Sequence, residues 1–328
     1  MKTKAQERLA RAQQILEARS KVVYPDLSVN IAGVKFRNPV IAASGTFGYG
    51  REYDGLLDIR ALGGICTKGL TVEGRDGNMG VRIRETPSGL LNSIGLENPG
   101  IPAFIEDELP RLKELGPVII ANLAGSTPDE YSKGAKLLGE AGVDMIELNI
   151  SCPNVKSGAL AFGMDPESAA LVTRMVRRAA PKTPLMVKLS PNAPDLTAVA
   201  QACVTAGANA LSLVNTFKAM AIDIENRKPV FDNISAGLSG PCIRPIALRM
   251  VWELYDTLRS VPIVGVGGIA SASDALEFLL AGALAVQVGS ATFAHPPLMN
   301  EVIEGIKDYM YRKSFIRVSD LRISRVNR

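Results

Sequence analysis

The stretch Val143-Asp144-Met145-Ile146-Glu147-Leu148-Asn149 is a short apolar run, and Pro184-Leu185-Met186-Val187-Lys188-Leu189 is another. Between them, residues 165–180 (Asp-Pro-Glu-Ser-Ala-Ala-Leu-Val-Thr-Arg-Met-Val-Arg-Arg-Ala-Ala) carry apolar residues at helical spacing. Strand, helix, strand predicts a parallel βαβ unit. The same beat runs outward in both directions. Apolar, β-rich runs stand at 39–43, 61–66, 117–123, 143–149, 184–189, 208–214, 261–266 and 284–289. Helical spacing fills 102–115, 128–141, 165–180, 194–206, 243–259 and 272–281, and a last helix fits 297–312. The first crossover, 51–58, is short. The strands are nearly continuously apolar, as strands covered on both faces must be. Eight such units without a Pro/Ser linker predict an α/β chain closed into one (β/α)8 TIM-type barrel.

Around this frame the chain adds three features. Residues 27–37 alternate in part about Ala32-Gly33, which predicts an N-terminal hairpin at the bottom of the barrel. Connections 67–101 and 215–241 are too long for turns. Both leave the C-terminal ends of strands, the face where such barrels carry their sites, so they are expected to cover a ligand. Residues 2–20 place Ala5, Leu9, Ala12, Leu16 and Arg19 at alternating four- and three-residue steps, a thin helical stripe. The expected division is a helical arm, 1–24, and a catalytic barrel, 25–328. The arm reads as a docking or frayed segment, with a membrane-surface or partner contact as the other reading.

Composition narrows the function. Of 328 residues, 47% are hydrophobic and 21% charged, an ordinary globular balance. A net charge of +4 is too mild for a nucleic-acid footprint and suits a small anionic ligand. The charged N-terminus lacks the apolar core of a secretory signal, and no long apolar run predicts a spanning helix, so the expected compartment is the cytoplasm. Without a signal, the sequons Asn149-Ile150-Ser151 and Asn233-Ile234-Ser235 read as chance matches. Cys66, Cys152, Cys203 and Cys242 form no C-x-x-C pair, and His295 is the only histidine. No metal site is expected, and a His-based triad is excluded by count.

Candidate reactive side chains fall at strand ends: Lys68, Asn122, Asn149, Cys152, Lys188 and Asn215. Proton transfer must fall to Cys, Lys, Ser/Thr or a carboxylate. Cys152 precedes Pro153 in a loop, a natural place for an acid/base or a nucleophile; the bland alternative is a small buried apolar residue. A free thiol has a pKa of about 8.5, which nearby cations lower. Gly265-Val266-Gly267-Gly268-Ile269-Ala270 matches a dinucleotide fingerprint in isolation, but it lies late in the chain without the paired acid. With Val288-Gly289-Ser290 it reads better as a phosphate cradle after strands seven and eight, simple tight turns being the alternative.

Ten ordered segments then resemble one family. They are Ala43-Ser-Gly-Thr-Phe-Gly-Tyr-Gly50, Thr67-Lys-Gly-Leu-Thr71, Asn92-Ser-Ile-Gly-Leu-Glu-Asn98, Ala121-Asn-Leu-Ala-Gly125, Asn149 to Asn154, Val187-Lys-Leu-Ser190, Asn215-Thr216, Gly237-Leu-Ser-Gly240, Gly265-Val-Gly-Gly268 and Val288-Gly-Ser290. From about residue 25 to 312 the chain resembles the dihydroorotate dehydrogenases, FMN enzymes of pyrimidine (UMP) biosynthesis. The resemblance implies that Cys152 is the base, where other branches have serine. It implies that Asn92, Ile94, Gly95, Leu96, Asn149, Asn154, Asn215 and Thr216 surround the pyrimidine and its carboxylate. Lys68 would lie between flavin and substrate carboxylate. Ser44, Asn122, Asn149 and Lys188 would contact the isoalloxazine or ribityl portion. Gly240, Gly267, Gly268, Gly289 and Ser290 would hold the ribityl–phosphate end.

Within the family, Asn215-Thr-Phe-Lys-Ala-Met-Ala-Ile-Asp223 and Arg227-Lys-Pro229 look most like the NAD-linked (class 1B) branch. There a partner subunit carries FAD and a 2Fe-2S cluster, which implies a homodimer extended to a heterotetramer. Arm 1–24 departs from that branch, and membrane-bound relatives carry N-terminal helices at a quinone site. The competing readings are a related FMN barrel reductase acting on uracil-type bases, a flavin-free phosphate-binding barrel with Lys188 as a Schiff-base lysine, and a non-catalytic scaffold.

Overall fold

The computed structural model describes residues 24–151 and 162–323. The helix expected over 2–20 lies outside them. Eight parallel strands close a barrel: β1 (Val40–Ala42), β2 (Gly64–Cys66), β3 (Val118–Leu123), β4 (Met145–Asn149), β5 (Leu185–Lys188), β6 (Ala210–Leu213), β7 (Ile263–Val266) and β8 (Ala285–Val288). Each pairs with its sequence neighbours, and β8 returns to β1 through Val286↔Val40. All eight runs read from the sequence become barrel strands. Their residues are almost all buried, which is why the runs lack alternation.

The crossover helices start where local chemistry makes a start cheap. Thr127, Asp165, Asp195 and Ser271 each accept a hydrogen bond from the amide three residues on, satisfying a donor the helix cannot. Pro128 and Pro166 occupy first-turn positions, where no N–H is needed. The helix expected at 102–115 begins at Ile101 and widens into a π-type turn over Phe104–Glu108. Pro110 accounts for the change: it has no N–H for the Glu106 carbonyl and its ring crowds that oxygen.

The predicted hairpin pairs Val29–Ile31 with Val34–Phe36, and Phe36 is fully buried. Ala32 (φ 54°) and Gly33 (φ 88°) make its two-residue turn, both with the positive φ that such turns require.

The two long connections are not free loops. From 67–101 comes a hairpin, Ile83–Thr86 with Gly89–Asn92; from 215–241 come Phe217–Met220 and Ser235–Ser239. Gly237↔Asn92 and Ser239↔Leu90 pair them into one four-stranded antiparallel sheet over the barrel mouth. Leu91, Phe231 and Ala236 form a small apolar core of its own. The expected cover is therefore a hydrogen-bonded cap, and 67–101 is anchored through Asn92 and its neighbours.

Candidate active site

Between the strand ends and the cap lies a cavity of about 380 Å³, in the range of small-ligand sites. Every described residue that the resemblance assigns to substrate or cofactor lines it. Ser44, Lys68, Asn122, Asn149 and Lys188 come from the ends of β1 to β5. Asn215 and Thr216 follow β6, Gly267 and Gly268 follow β7, and Gly289 and Ser290 follow β8. The cap adds Asn92, Ile94, Gly95, Leu96 and Gly240. Cys152 and Asn154 lie outside the described residues. Ser151, the last described residue before them, is 3% exposed. His295 pairs with Glu301 on the surface and is not part of the cavity wall.

A chain of amides orders one wall. Asn122 Nδ2 donates to Glu147 Oε2 at 2.6 Å, and Asn149 Nδ2 donates to Asn122 Oδ1 at 3.3 Å. Ser151 Oγ donates to Asn149 Oδ1 at 2.9 Å, and Asn215 Nδ2 donates to Ser151 Oγ at 2.6 Å. Asn215 Oδ1 accepts from the Thr216 amide at 2.8 Å. The orientation of each amide is thus set by the next, which preorganises donors and acceptors toward a ligand.

On the cap side, Asn98 acts as a staple. Its Oδ1 accepts from the Thr71 and Gly100 amides, and its Nδ2 donates to Thr71 Oγ1 and the Leu96 carbonyl. Leu96 is thereby held at φ 59°, an uncommon conformation for a side chain of its size. Asn92 Nδ2 donates to the Gly237 carbonyl at 3.2 Å, tying a cavity residue to the cap sheet.

Two lysine side chains reach the cavity, one on the cap side and one at the floor. Burial pulls the Lys68 ammonium below its ordinary pKa of 10.5; Glu97 opposes the shift and Arg82 adds to it. Lys188 is buried at the floor, its Nζ 3.4 Å from Ser44 Oγ and 3.7 Å from Glu147 Oε2. Burial pushes the Glu147 carboxyl up, but Lys188 and several hydrogen-bond donors outweigh it and hold the group below its ordinary value. Burial and the adjacent Glu147 push the Cys66 thiol well up, so it serves as a donor.

Glu147 is the functional candidate that strand-end reasoning passes over. It sits inside β4 rather than at its end, yet a charged residue in an otherwise apolar, doubly covered strand is itself a signal. Thr46 is a second such residue: its Oγ1 is buried in the cavity wall without a hydrogen-bond partner.

A family model described as dihydroorotate dehydrogenase matches residues 26–310. A relative from Petrotoga mobilis, described as dihydroorotate dehydrogenase B (NAD(+)), catalytic subunit, is 56% identical over 297 residues. The match covers 90% of this chain and 98% of that one. Proteins of the same description from Geotalea daltonii and Pelobacter propionicus are 52% and 53% identical, each covering 90% of this chain and 97% of the relative.

Proposed function

The chain belongs to the dihydroorotate dehydrogenase family, and on that premise we propose that it oxidises dihydroorotate to orotate with FMN, as the catalytic subunit of an NAD-linked enzyme. The observation that carries the reading is the convergence of two lysines, four asparagines and a glycine-lined recess in one cavity. A flavin needs a polar floor, room for its phosphate end and no bulky side chain there. The unpartnered Thr46 Oγ1 and the ammonium of Lys188 meet the first need. Gly289 meets the others: it lines the recess without a side chain, and a Cβ there would have its nearest neighbour 3.5 Å away.

The reaction removes one proton and one hydride from adjacent carbons and leaves a C=C bond. FMN, when bound, supplies the hydride acceptor. In this proposal Lys188, Ser44 and Asn122 hold its polar ring edge, and Gly240, Gly267, Gly268, Gly289 and Ser290 take the ribityl–phosphate end. Lys68 Nζ binds the substrate carboxylate. Asn92, Asn149, Asn154 and Asn215 read the pyrimidine, since one amide both donates and accepts. Cys152 Sγ accepts the proton, and the cap excludes water.

Among the described residues no helix is long and apolar enough to cross a membrane. The chain is taken to work with a partner subunit that bears FAD and a 2Fe-2S cluster and passes electrons to NAD, and the cytoplasm is the proposed compartment. The test is anaerobic. Purified chain should carry FMN, and dihydroorotate should bleach it; a flavin left oxidised by dihydroorotate refutes the assignment. Cys152→Ala should keep FMN and lose most turnover near neutral pH, and unchanged turnover removes Cys152 as the base. The isolated chain should reduce dyes but not NAD; direct NAD reduction removes the partner.

A further inference from the structure

Side chains inside a (β/α)8 barrel stack in layers of four drawn from alternate strands, usually bulky aliphatic residues. One layer here is different. The even strands contribute Cys66 (β2), Glu147 (β4), Ser212 (β6) and Gln287 (β8), all essentially buried. The other three all hydrogen-bond to the carboxylate: Ser212 Oγ and Gln287 Nε2 donate to Oε1 at 2.8 and 2.7 Å, and Cys66 Sγ donates to Oε2 at 3.1 Å. Oε2 also accepts from Asn122 Nδ2 at 2.6 Å and faces Lys188 Nζ at 3.7 Å. Asn122 and Lys188 come from the odd strands β3 and β5, and both line the cavity. One carboxylate therefore grips, from within the barrel, two side chains that face the ligand.

Among the described residues Glu147 and Lys188 are the only buried acid and the only buried base. An ion left alone in a barrel interior is strongly disfavoured, and each of these compensates the other. The ammonium lies 3.7 Å from the carboxylate, an ion pair without a direct hydrogen bond. Its hydrogen bond toward the cavity, to Ser44 Oγ, is long, so it remains available to an acceptor on a ligand.

We propose that Glu147 is a positioning residue that aims Asn122 and Lys188 at the flavin and cancels the lysine's charge, so that the floor donates hydrogen bonds without a net positive field. This rests on FMN occupying the cavity as proposed above. A bare cation at the ring edge would stabilise its electron-rich forms and make the flavin reluctant to pass electrons on. A neutral pair leaves it a better reductant.

The experiment compares the wild type with Glu147→Gln, each loaded with FMN. Sulfite adds to a flavin and leaves negative charge on the ring, so its dissociation constant reports the local field. Glu147→Gln should tighten sulfite binding about tenfold and raise the two-electron midpoint potential by about 30 mV, the shift equivalent to a factor of ten. Adding Lys188→Met to Glu147→Gln should reverse both changes, which a purely structural role for Glu147 would not do. Sulfite affinity and potential both unchanged in Glu147→Gln, with FMN still bound, overturn the proposal. If Glu147→Gln does not fold, Lys188→Met and the double variant carry the test. The lone carboxylate, still held by its donors, must weaken sulfite binding relative to the double variant, and equality overturns the proposal. A wild-type chain that binds no FMN is a distinct result, read from flavin absorbance alone, and it sinks the reading of the cavity together with this one.

Discussion

Two glycines of the recess separate folding from cofactor binding. Gly289 does not have a positive φ, and an added Cβ would lie 3.5 Å from Ala43 Cβ and 3.7 Å from Thr46 Oγ1, ordinary contact distances. Gly289→Ala should therefore leave the fold intact, and the stiffer unfolded chain should add about 0.4–1 kcal/mol of stability. Gly289 lines the recess assigned to the ribityl–phosphate end, so the added methyl should take up space there. Overpacking of that kind costs about 1–3 kcal/mol, which in FMN affinity is a loss of about 5- to 150-fold. Gly268 is the contrast. It sits at φ +72°, and its Cβ would lie 2.7 Å from the Gly240 carbonyl and 2.9 Å from the Arg244 amide, both backbone atoms. A left-handed alanine costs about 1–2 kcal/mol and the clash about 1–3 more, so Gly268→Ala should lose about 2–5 kcal/mol of stability. The assays are urea unfolding of the apoprotein and FMN titration by fluorescence quenching. Full FMN affinity in Gly289→Ala refutes the placement of the phosphate end beside β8. Equal destabilisation by both substitutions refutes the backbone argument.

Two further outcomes follow from the charged groups. Glu147 has its folded-state pKa below the ordinary 4.5, so its contribution is complete above that value and is lost as pH falls through the folded value. Glu147→Gln should cost about 3–5 kcal/mol at neutral pH and flatten the acid limb of the stability curve, measured by urea unfolding from neutral to acid pH; a wild-type acid slope in the variant contradicts the pairing. Lys68 titrates below 10.5, so KM for dihydroorotate should rise as pH climbs through that lowered value and the cation disappears. Lys68→Met should raise KM about 10- to 150-fold at neutral pH, the worth of a hydrogen bond to a charged group, and should abolish that alkaline rise; an unchanged KM profile excludes the contact.

The barrel was legible because both of its signals are local. Strands covered on two faces must be apolar along their whole length, as Leu185–Lys188 and Ala285–Val288 nearly are, and the helices between carry their own starts in Thr127, Asp165, Asp195 and Ser271. The cavity residues were legible because the C-terminal ends of parallel strands converge, so Asn122, Asn149 and Lys188 meet however far apart they lie in the chain. The cap was not. Its strands pair Gly237 with Asn92 across more than a hundred residues, and no local pattern encodes a register between two excursions that leave different strands. Glu147 is hard to read from sequence for a different reason. Its partners Cys66, Ser212 and Gln287 look like tolerated exceptions in three separate apolar runs, and they become a site only when the barrel closes and brings the even strands to one level.

That geometry divides the labour of the cavity between two bodies. The floor belongs to the barrel: Asn122, Lys188 and the glycines after β7 and β8 are fixed by strand ends in a closed sheet and by the buried ion pair beneath them. The roof belongs to the cap: Asn92 is held by Gly237, Leu96 by Asn98, and Thr216 stands close enough to Gly237 that a Cβ there would lie almost on its hydroxyl. The residues assigned to the flavin come mainly from the floor, and several of those assigned to the pyrimidine come from the roof. Asn149, Ser151 and Asn215 bridge them in one continuous hydrogen-bonded run. The run through Asn149, Ser151 and Asn215 thus spans the seam where the residues assigned to the cofactor meet those assigned to the substrate.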